Sequence, residues 1–394
     1  MSETQASARA VRAERLAALP PYLFAEIDRA TRRLLEAGQD VIDLGVGDPD
    51  LPSAPHVIER LAESARDPAN HRYSMTEGLP ELRAAIAGWY RRRFGVSLDP
   101  NTEVLPLLGS KEGIAHLPLA IVNPGDVVLV PDPGYPPYVS GTVLAGADAH
   151  PMPLLEATGF FPDFEGLSQR AVRRAKLMFL NYPNNPTAAL ASSEQFAQAV
   201  EFAKTFQILV AHDAAYSELA FDGARPKSFL ESPGARDVGV EFHSLSKTWN
   251  MTGWRIGWVC GHAGMIAALA KLKTNLDSGI FQPVQWAGIA ALEGDETPWR
   301  ESLAVYRERR DRLVDGLAAA GWTVPKPAAG LYVWARVPGG GSSMAFAERV
   351  LEQARVVLTP GVGFGRHGEG YVRMSLTIPT ERIEEAVARL SGVL

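Results

Sequence analysis

Ser244-Leu-Ser246-Lys247-Thr-Trp-Asn-Met-Thr-Gly-Trp-Arg255 lies between two short apolar runs, Val240 to Ser244 and Ile256 to Gly261. Runs of that length read as buried strands, so the stretch is a loop joining two strands at one end of a sheet. It sets one lysine among small hydroxyl side chains, with an arginine eight positions on. A lysine forms a Schiff base only after losing its proton, so a nucleophilic amine needs surroundings that disfavour its charge. Apolar flanking segments and the like charge of Arg255 would supply them, while hydroxyls and a guanidinium suit a phosphate. The stretch therefore reads either as the site of a phosphorylated aldehyde cofactor or as an exposed loop lysine.

The residues around it favour the first reading. Ile208-Leu-Val-Ala-His-Asp213-Ala214 is a strand ending on a carboxylate, with Tyr216 three positions beyond. Open α/β sheets place ligand contacts at the carboxyl ends of their strands. An acid there can keep a pyridine nitrogen protonated, which makes the ring an electron sink; its alternative role is to cap a helix. Gly109-Ser110-Lys111-Glu-Gly113 follows an apolar run and suits an anion held on free helix-start N–H groups. Further strands are expected at Thr102 to Leu108, Val127 to Pro131 and Lys176 to Asn181, alternating with helical patterns such as Ser192 to Thr205. That order implies an α/β protein with a mostly parallel sheet and helices on both faces. The charged periodic stretch Trp299 to Ala320 reads as one long helix leaving this domain. Leu331-Tyr-Val-Trp-Ala-Arg-Val, Val356-Val-Leu-Thr and Tyr371 to Thr377 then suggest a smaller α+β domain.

The chain resembles the class I/II aminotransferases of the pyridoxal-phosphate fold-type I superfamily, and within them most resembles the LL-diaminopimelate aminotransferases. The resemblance runs from Pro21-Tyr22 to Tyr371-Val-Arg373-Met-Ser-Leu-Thr. It is carried by Leu44-Gly-Val-Gly-Asp-Pro-Asp-Leu-Pro, Leu108-Gly-Ser-Lys-Glu-Gly-Ile, Pro131-Asp-Pro-Gly-Tyr-Pro-Pro-Tyr and Asn181-Tyr-Pro-Asn-Asn-Pro-Thr, in that order. It implies a pyridoxal 5′-phosphate enzyme with a seven-stranded sheet in the large domain. Residues 1–45 would join the small domain, 46–290 would form the large one, and 291–394 the small one, with a connecting helix at about 297–320.

Carried over by position, Lys247 would bind the aldehyde and shuttle the substrate Cα proton. Asp213 would pair with the ring nitrogen, Tyr216 and Asn185 would bond the phenolate oxygen, and Tyr135 would stack on the ring. Ser110, Lys111, Ser244, Ser246 and Arg255 would hold the phosphate. Arg373 would grip the substrate α-carboxylate by a bidentate pair, which only a guanidinium supplies. Tyr73 would reach the phosphate of a neighbouring subunit, making the enzyme a homodimer with shared active sites. The expected substrates are an amino acid and a 2-oxo acid: glutamate with 2-oxoglutarate, and LL-2,6-diaminopimelate with tetrahydrodipicolinate. Tyr22 and Gly47 match substrate-pocket positions. Glu77, on the segment of Tyr73, is set either to meet a distal ammonium across the dimer or to be a solvated acid at a helix start. Ala188 stands where many relatives have glycine, and Gly330-Leu331 where they often carry a hydroxyl residue and phenylalanine. These departures leave an aspartate or broad-specificity aminotransferase as the alternative. A β-eliminating C–S lyase and a cofactor-sensing regulator are remoter, the latter because about twenty residues before Pro20-Pro21 are too few for a groove-reading domain.

Composition agrees. The 394 residues, 46% hydrophobic and 21% charged, suffice for a large core. A net charge of −6 carries no footprint for nucleic acid or anionic membrane. The single cysteine, Cys260, excludes an intramolecular disulfide and reads as a buried strand residue. Neither a signal peptide core nor a membrane-length apolar run is present, so a cytoplasmic protein is expected. Gly363-Phe-Gly365-Arg-His-Gly368 matches a dinucleotide-binding pattern but is followed at once by a strand instead of a helix, so no dinucleotide is expected. The histidines show no metal-binding spacing.

Overall fold

The computed structural model describes residues 13–19 and 25–394. Seven strands form its central sheet: Val104–Leu107, Val127–Asp132, Asp148–Pro153, Ala175–Asn181, Leu209–Asp213, Gly239–Ser244 and Gly257–Gly261. In space they run 104–107, 257–261, 239–244, 209–213, 175–181, 127–132, 148–153. All neighbours pair in parallel except 257–261, which is antiparallel to both strands beside it. Six of these strands were legible because both faces are covered, so their sequences are nearly unbroken apolar runs. The seventh, Asp-Ala-His-Pro-Met-Pro, was missed from the residues alone. It lies at the sheet edge, half-exposed along most of its length, and an edge tolerates Pro151 and Pro153 where a central strand would lose ladder bonds.

Helices cover both faces. Pro80–Phe94, Ser193–Phe206 and Gln282–Glu293 bury Ile86, Trp89, Phe196 and Ala287 against one. Ser110–Ile121 and Ala263–Lys273 bury Ile114, Leu117 and Leu269 against the other. The helix at 193–206 begins with a capping box, Ser192 and Gln195 satisfying each other's backbone N–H groups.

Thr297–Ala319 is a single helix of 23 residues. Its buried Tyr306, Leu313 and Leu317 join a second core with Val333, Val350, Met374 and Ile383. There Tyr332–Arg336, Tyr371–Ser375 and Thr359–Pro360 form an antiparallel sheet. The run Val356-Val-Leu-Thr, expected as one strand, is two. Val356–Val357 pairs in parallel with Ile42–Asp43, and Thr359 pairs with Arg373. The chain changes partners at Leu358 because one edge takes the N-terminal segment and the other takes the strand of Arg373. Residues 42–44 are thereby tied to the C-terminal core, and Leu44-Gly-Val-Gly leaves it toward the end of the large sheet.

Candidate active site

A cleft of about 390 Å³ opens where the strands ending at Asp213 and Ser244 meet the start of the helix Ser110–Ile121 and the second core. Lys247 rides on the short helix Leu245–Thr248, whose first turn is fixed by Ser244 Oγ accepting the Ser246 N–H at 3.1 Å. Its Nζ donates to the Gly47 carbonyl at 2.9 Å. That carbonyl is one of three in a row used by the site. Gly45 O accepts from Arg373 and Thr359 at 2.7 and 3.0 Å, and Val46 O accepts from Thr377 at 2.8 Å. A segment with such small side chains lets side chains from three other elements reach its backbone.

Asp213 is buried at its strand end, and a turn follows it, not a helix. Its Oδ2 accepts from Tyr138 Oη at 2.8 Å, while Oδ1 is buried without a hydrogen-bond partner. Burial pushes the carboxyl pKa up; the Tyr138 bond and the nearby Ala215 N–H only partly offset it. A buried acceptor left open costs about 1–3 kcal/mol, and one ring N–H⁺ facing Oδ1 would recover it.

Groups able to hold an anion gather on the other side. The helix at 110–121 starts at Gly109 with φ of +81° and no side-chain cap, so its first N–H groups point free. A Cβ on Gly109 would lie 2.4 Å from an Arg255 Nη, and one on Gly257 would lie 2.8 Å from the Ser110 nitrogen. Glycine at both positions lets the guanidinium and the helix start close on one spot. Arg255 itself is exposed and left-handed, with φ of +57°, and is anchored to the Thr252 carbonyl at 2.9 Å. Ser110, Lys111, Ser244 and Ser246 line the same pocket. The set fits a pyridoxal phosphate: cations and N–H groups for the phosphate, Tyr135 at the wall, and the open Asp213 oxygen for the ring nitrogen.

Arg373 is buried in the strand Tyr371–Ser375. It donates to Asn185 Oδ1 at 2.9 Å and to Gly45 O, while its Nε has no partner. Its guanidinium lies between two rings, 4.1 Å from the Tyr332 centroid and 4.7 Å from that of Phe364. Tyr332 is the main residue sequence reasoning did not assign. Its hydroxyl is 3.2 Å from that of Tyr216. Burial pushes the Tyr332 phenol up, but the Arg373 and Lys247 charges outweigh it and bring its pKa below the ordinary tyrosine value. Tyr216 is pushed up by burial, so Tyr332, nearer the cations, is the more acidic of the pair. Phe364 and Thr252 also line the cleft unforeseen. Both lie in stretches the sequence singled out, Ser244–Arg255 and Gly363–Gly368, but the second was weighed only as a dinucleotide motif.

Two expected residues do not line the cleft. Tyr73 is 90% exposed and Glu77 is exposed in the turn ahead of the helix Pro80–Phe94, not at its start. Tyr22 lies outside the described residues. The positions of departure are backbone-defined: Ala188 has φ of +59° and Gly330 φ of +83°, the region in which glycine is unstrained. The motif Gly363 to Gly368 lies in two short 3₁₀ turns, Gly361–Phe364 and Arg366–Gly368, before the strand Tyr371–Ser375, with no α-helix start for a dinucleotide. No cluster of metal-ligating side chains occurs among the described residues, and none of their helices is long and apolar enough to cross a membrane.

The family model for aminotransferase class I and II matches residues 39–390. The chain belongs to that family. It is 57% identical to an LL-diaminopimelate aminotransferase of Desulforudis audaxviator, over 98% of each chain, and 55% identical to one of Moorella thermoacetica, over 97% and 98%. Among solved structures, apo-BacF from Bacillus subtilis superposes with a TM-score of 0.93 at 39% identity, covering 98% of both chains. A probable N-succinyldiaminopimelate aminotransferase from Thermus thermophilus gives 0.88 at 36% identity, over 94% of this chain and 100% of that one. The fold-type I architecture expected from the sequence is that of this aminotransferase.

Proposed function

We propose that this aminotransferase uses pyridoxal 5′-phosphate to move an amino group between LL-2,6-diaminopimelate and 2-oxoglutarate, in the biosynthesis of diaminopimelate and lysine. The observation that carries the cofactor is the open, buried Asp213 Oδ1 in one cleft with Lys247 and a convergent set of anion ligands. The substrate reading is supported by relatives of that name at 48–57% identity over nearly the whole chain. When bound, the cofactor supplies an aldehyde for the amino group and a protonated ring that takes up electron density.

The protein's own residues do the rest. Lys247 would give up its hydrogen bond to Gly47 O to hold the aldehyde, and its freed amine would take the substrate Cα proton and return it. Asp213 would hold the ring nitrogen protonated, Tyr216 and Asn185 would hold the phenolate oxygen, and Tyr135 would cover the ring. Ser110, Lys111, Ser244, Ser246 and Arg255 would hold the phosphate. Arg373, preset by Asn185 and Gly45, takes the α-carboxylate next to Gly47. Fixing phosphate, ring and carboxylate at three separate points orients the Cα–H bond for transfer. We read the active form as a cytoplasmic homodimer in which Tyr73 reaches the partner subunit's phosphate site and Glu77 meets the distal substrate ammonium. The 90% exposure of Tyr73 in its own chain supports this. Tyr22 is assigned to the substrate pocket by resemblance alone.

Visible absorption of the cofactor-loaded protein tests the whole reading. Adding L-glutamate or LL-diaminopimelate separately should convert the bound cofactor to its aminated form, and Lys247→Ala should abolish conversion. Conversion by aspartate but not diaminopimelate would move the assignment to the aspartate alternative. Pyruvate release from cystathionine without a keto acid would indicate the lyase.

A further inference from the structure

The glycine-rich stretch that resembles a dinucleotide motif has a different job. A Cβ on Gly361 would lie 2.0 Å from the Gly368 carbonyl oxygen, and one on Gly368 would lie 2.1 Å from that of Gly361. The loop therefore closes on its own backbone, and only glycine permits the contact. At its tip, Gly365 has φ of +133°, and a Cβ there would lie 2.0 Å from Asp132 Oδ1. Asp132 ends a central strand of the large sheet, with its side chain only 9% exposed. Its Oδ1 accepts the His367 backbone N–H at 3.1 Å, and its Oδ2 accepts from the His367 ring Nδ1–H at 2.8 Å. A third bond runs the opposite way across the same junction, from the Gly134 N–H to the Phe364 carbonyl at 2.8 Å.

Both ends of this junction present an aromatic wall to the cleft. On one side Asp132-Pro133-Gly134 leads into Tyr135; on the other the loop holds Phe364 against the Arg373 guanidinium. The face of Phe364 excludes water from that cation, and a lower local dielectric strengthens its pairing with a carboxylate. Arg373 keeps an unpartnered buried Nε, so its orientation depends on the two rings as well as on its hydrogen bonds.

We propose that Asp132 and His367 form a positioning clasp between the two cores, which holds Phe364 on Arg373 and thereby sets the affinity for the substrate α-carboxylate. The proposal rests on the reading of Arg373 as the carboxylate ligand. The clasp residues touch neither substrate nor cofactor; they act through Phe364.

The test is steady-state kinetics of the pyridoxal-phosphate-loaded full chain with LL-diaminopimelate as donor and 2-oxoglutarate as acceptor. His367→Ala should raise both KM values roughly ten-fold, the effect of losing a hydrogen bond to a charged group, with kcat within about two-fold and unchanged cofactor affinity. His367→Asn, whose side-chain N–H can replace Nδ1–H, should return KM to within roughly three-fold of the parent. Asp132→Asn keeps the shape but replaces a charged acceptor with a neutral amide, which weakens both bonds to His367 and should raise KM in the same direction, keeping the test decisive if His367→Ala fails to fold. Phe364→Ala should raise KM as well, and adding His367→Ala to it should change KM by less than about two-fold, since both act through one contact. Unchanged KM in the clasp variants, full additivity with Phe364→Ala, or lost cofactor affinity with KM intact would each overturn the clasp. Arg373→Lys separates the two levels: if it leaves KM unchanged the carboxylate reading itself fails, whereas a raised KM there with none in His367→Ala and Asp132→Asn condemns the clasp alone.

Discussion

Gly47→Ala should cripple the enzyme although it adds one methyl group. A Cβ at residue 47 would sit 2.0 Å from Tyr332 Oη, 2.5 Å from its Cε1 and 2.6 Å from its Cζ. Ordinary carbon contacts need roughly 3.5 Å, so either the Tyr332 ring or the Gly45–Gly47 backbone must move by about 1 Å. Neither is free. The ring covers Arg373 at 4.1 Å and its hydroxyl meets Tyr216, while the backbone carbonyls hold Lys247, Thr377 and Arg373. Overpacking of this kind costs about 1–3 kcal/mol, and because the displaced groups are those that orient substrate, the loss should fall on kcat/KM as roughly 5- to 150-fold. Tyr332→Phe in the same chain should not rescue it, since Cζ still overlaps. The assay is kcat/KM for LL-diaminopimelate with 2-oxoglutarate, beside a thermal melt of each variant. Parent-level kcat/KM with a parent melting temperature would refute the argument, as would full rescue by Tyr332→Phe.

Two further outcomes follow from buried groups. Asp213→Asn keeps the shape of the site but removes the anion facing the ring nitrogen; kcat should fall at least roughly 10- to 150-fold, from the loss of a charge-assisted hydrogen bond, with little change in melting temperature. A lowered melting temperature with intact kcat would return Asp213 to a structural role. His243 is fully buried, stacked 4.8 Å from Trp258, with Nε2 donating to Ser217 Oγ at 2.7 Å and Nδ1 accepting the Ser244 N–H at 2.9 Å. Burial pushes its pKa down to about 4. The unfolded chain then takes up a proton near pH 6.5 that the folded chain refuses until about pH 4. Stability present above pH 6.5 should therefore be lost as pH falls toward 4, by up to roughly 3 kcal/mol from this residue. Comparing the pH dependence of melting in the parent and in His243→Gln isolates that share; identical slopes would refute it.

The local sequence carried the chemistry because its carriers sit at strand ends and helix starts, which short-range patterns locate. Lys247 follows one apolar run and Asp213 ends another; Ser110 and Lys111, proposed to hold the phosphate, open a helix after a third. The same logic was blind to Asp148–Pro153, whose prolines and polar residues are tolerated only because no strand lies beyond it. It was equally blind to the fact that Val356-Val-Leu-Thr serves two sheets, since nothing in four residues says which partners will lie on either side.

What the sequence determined, then, is which reactive groups are present and which regular element each lies on or beside. Only the tertiary structure decided what those groups touch. Lys247 meets a carbonyl 200 residues away, and Asp132 meets His367 across 235. Tyr332 enters the site only because Gly47 leaves its ring room, and Phe364 because a loop of glycines folds tightly enough to be gripped by a buried acid. Contacts of that span are set by how two cores pack, and packing responds to the shapes of many side chains together, which no local period records.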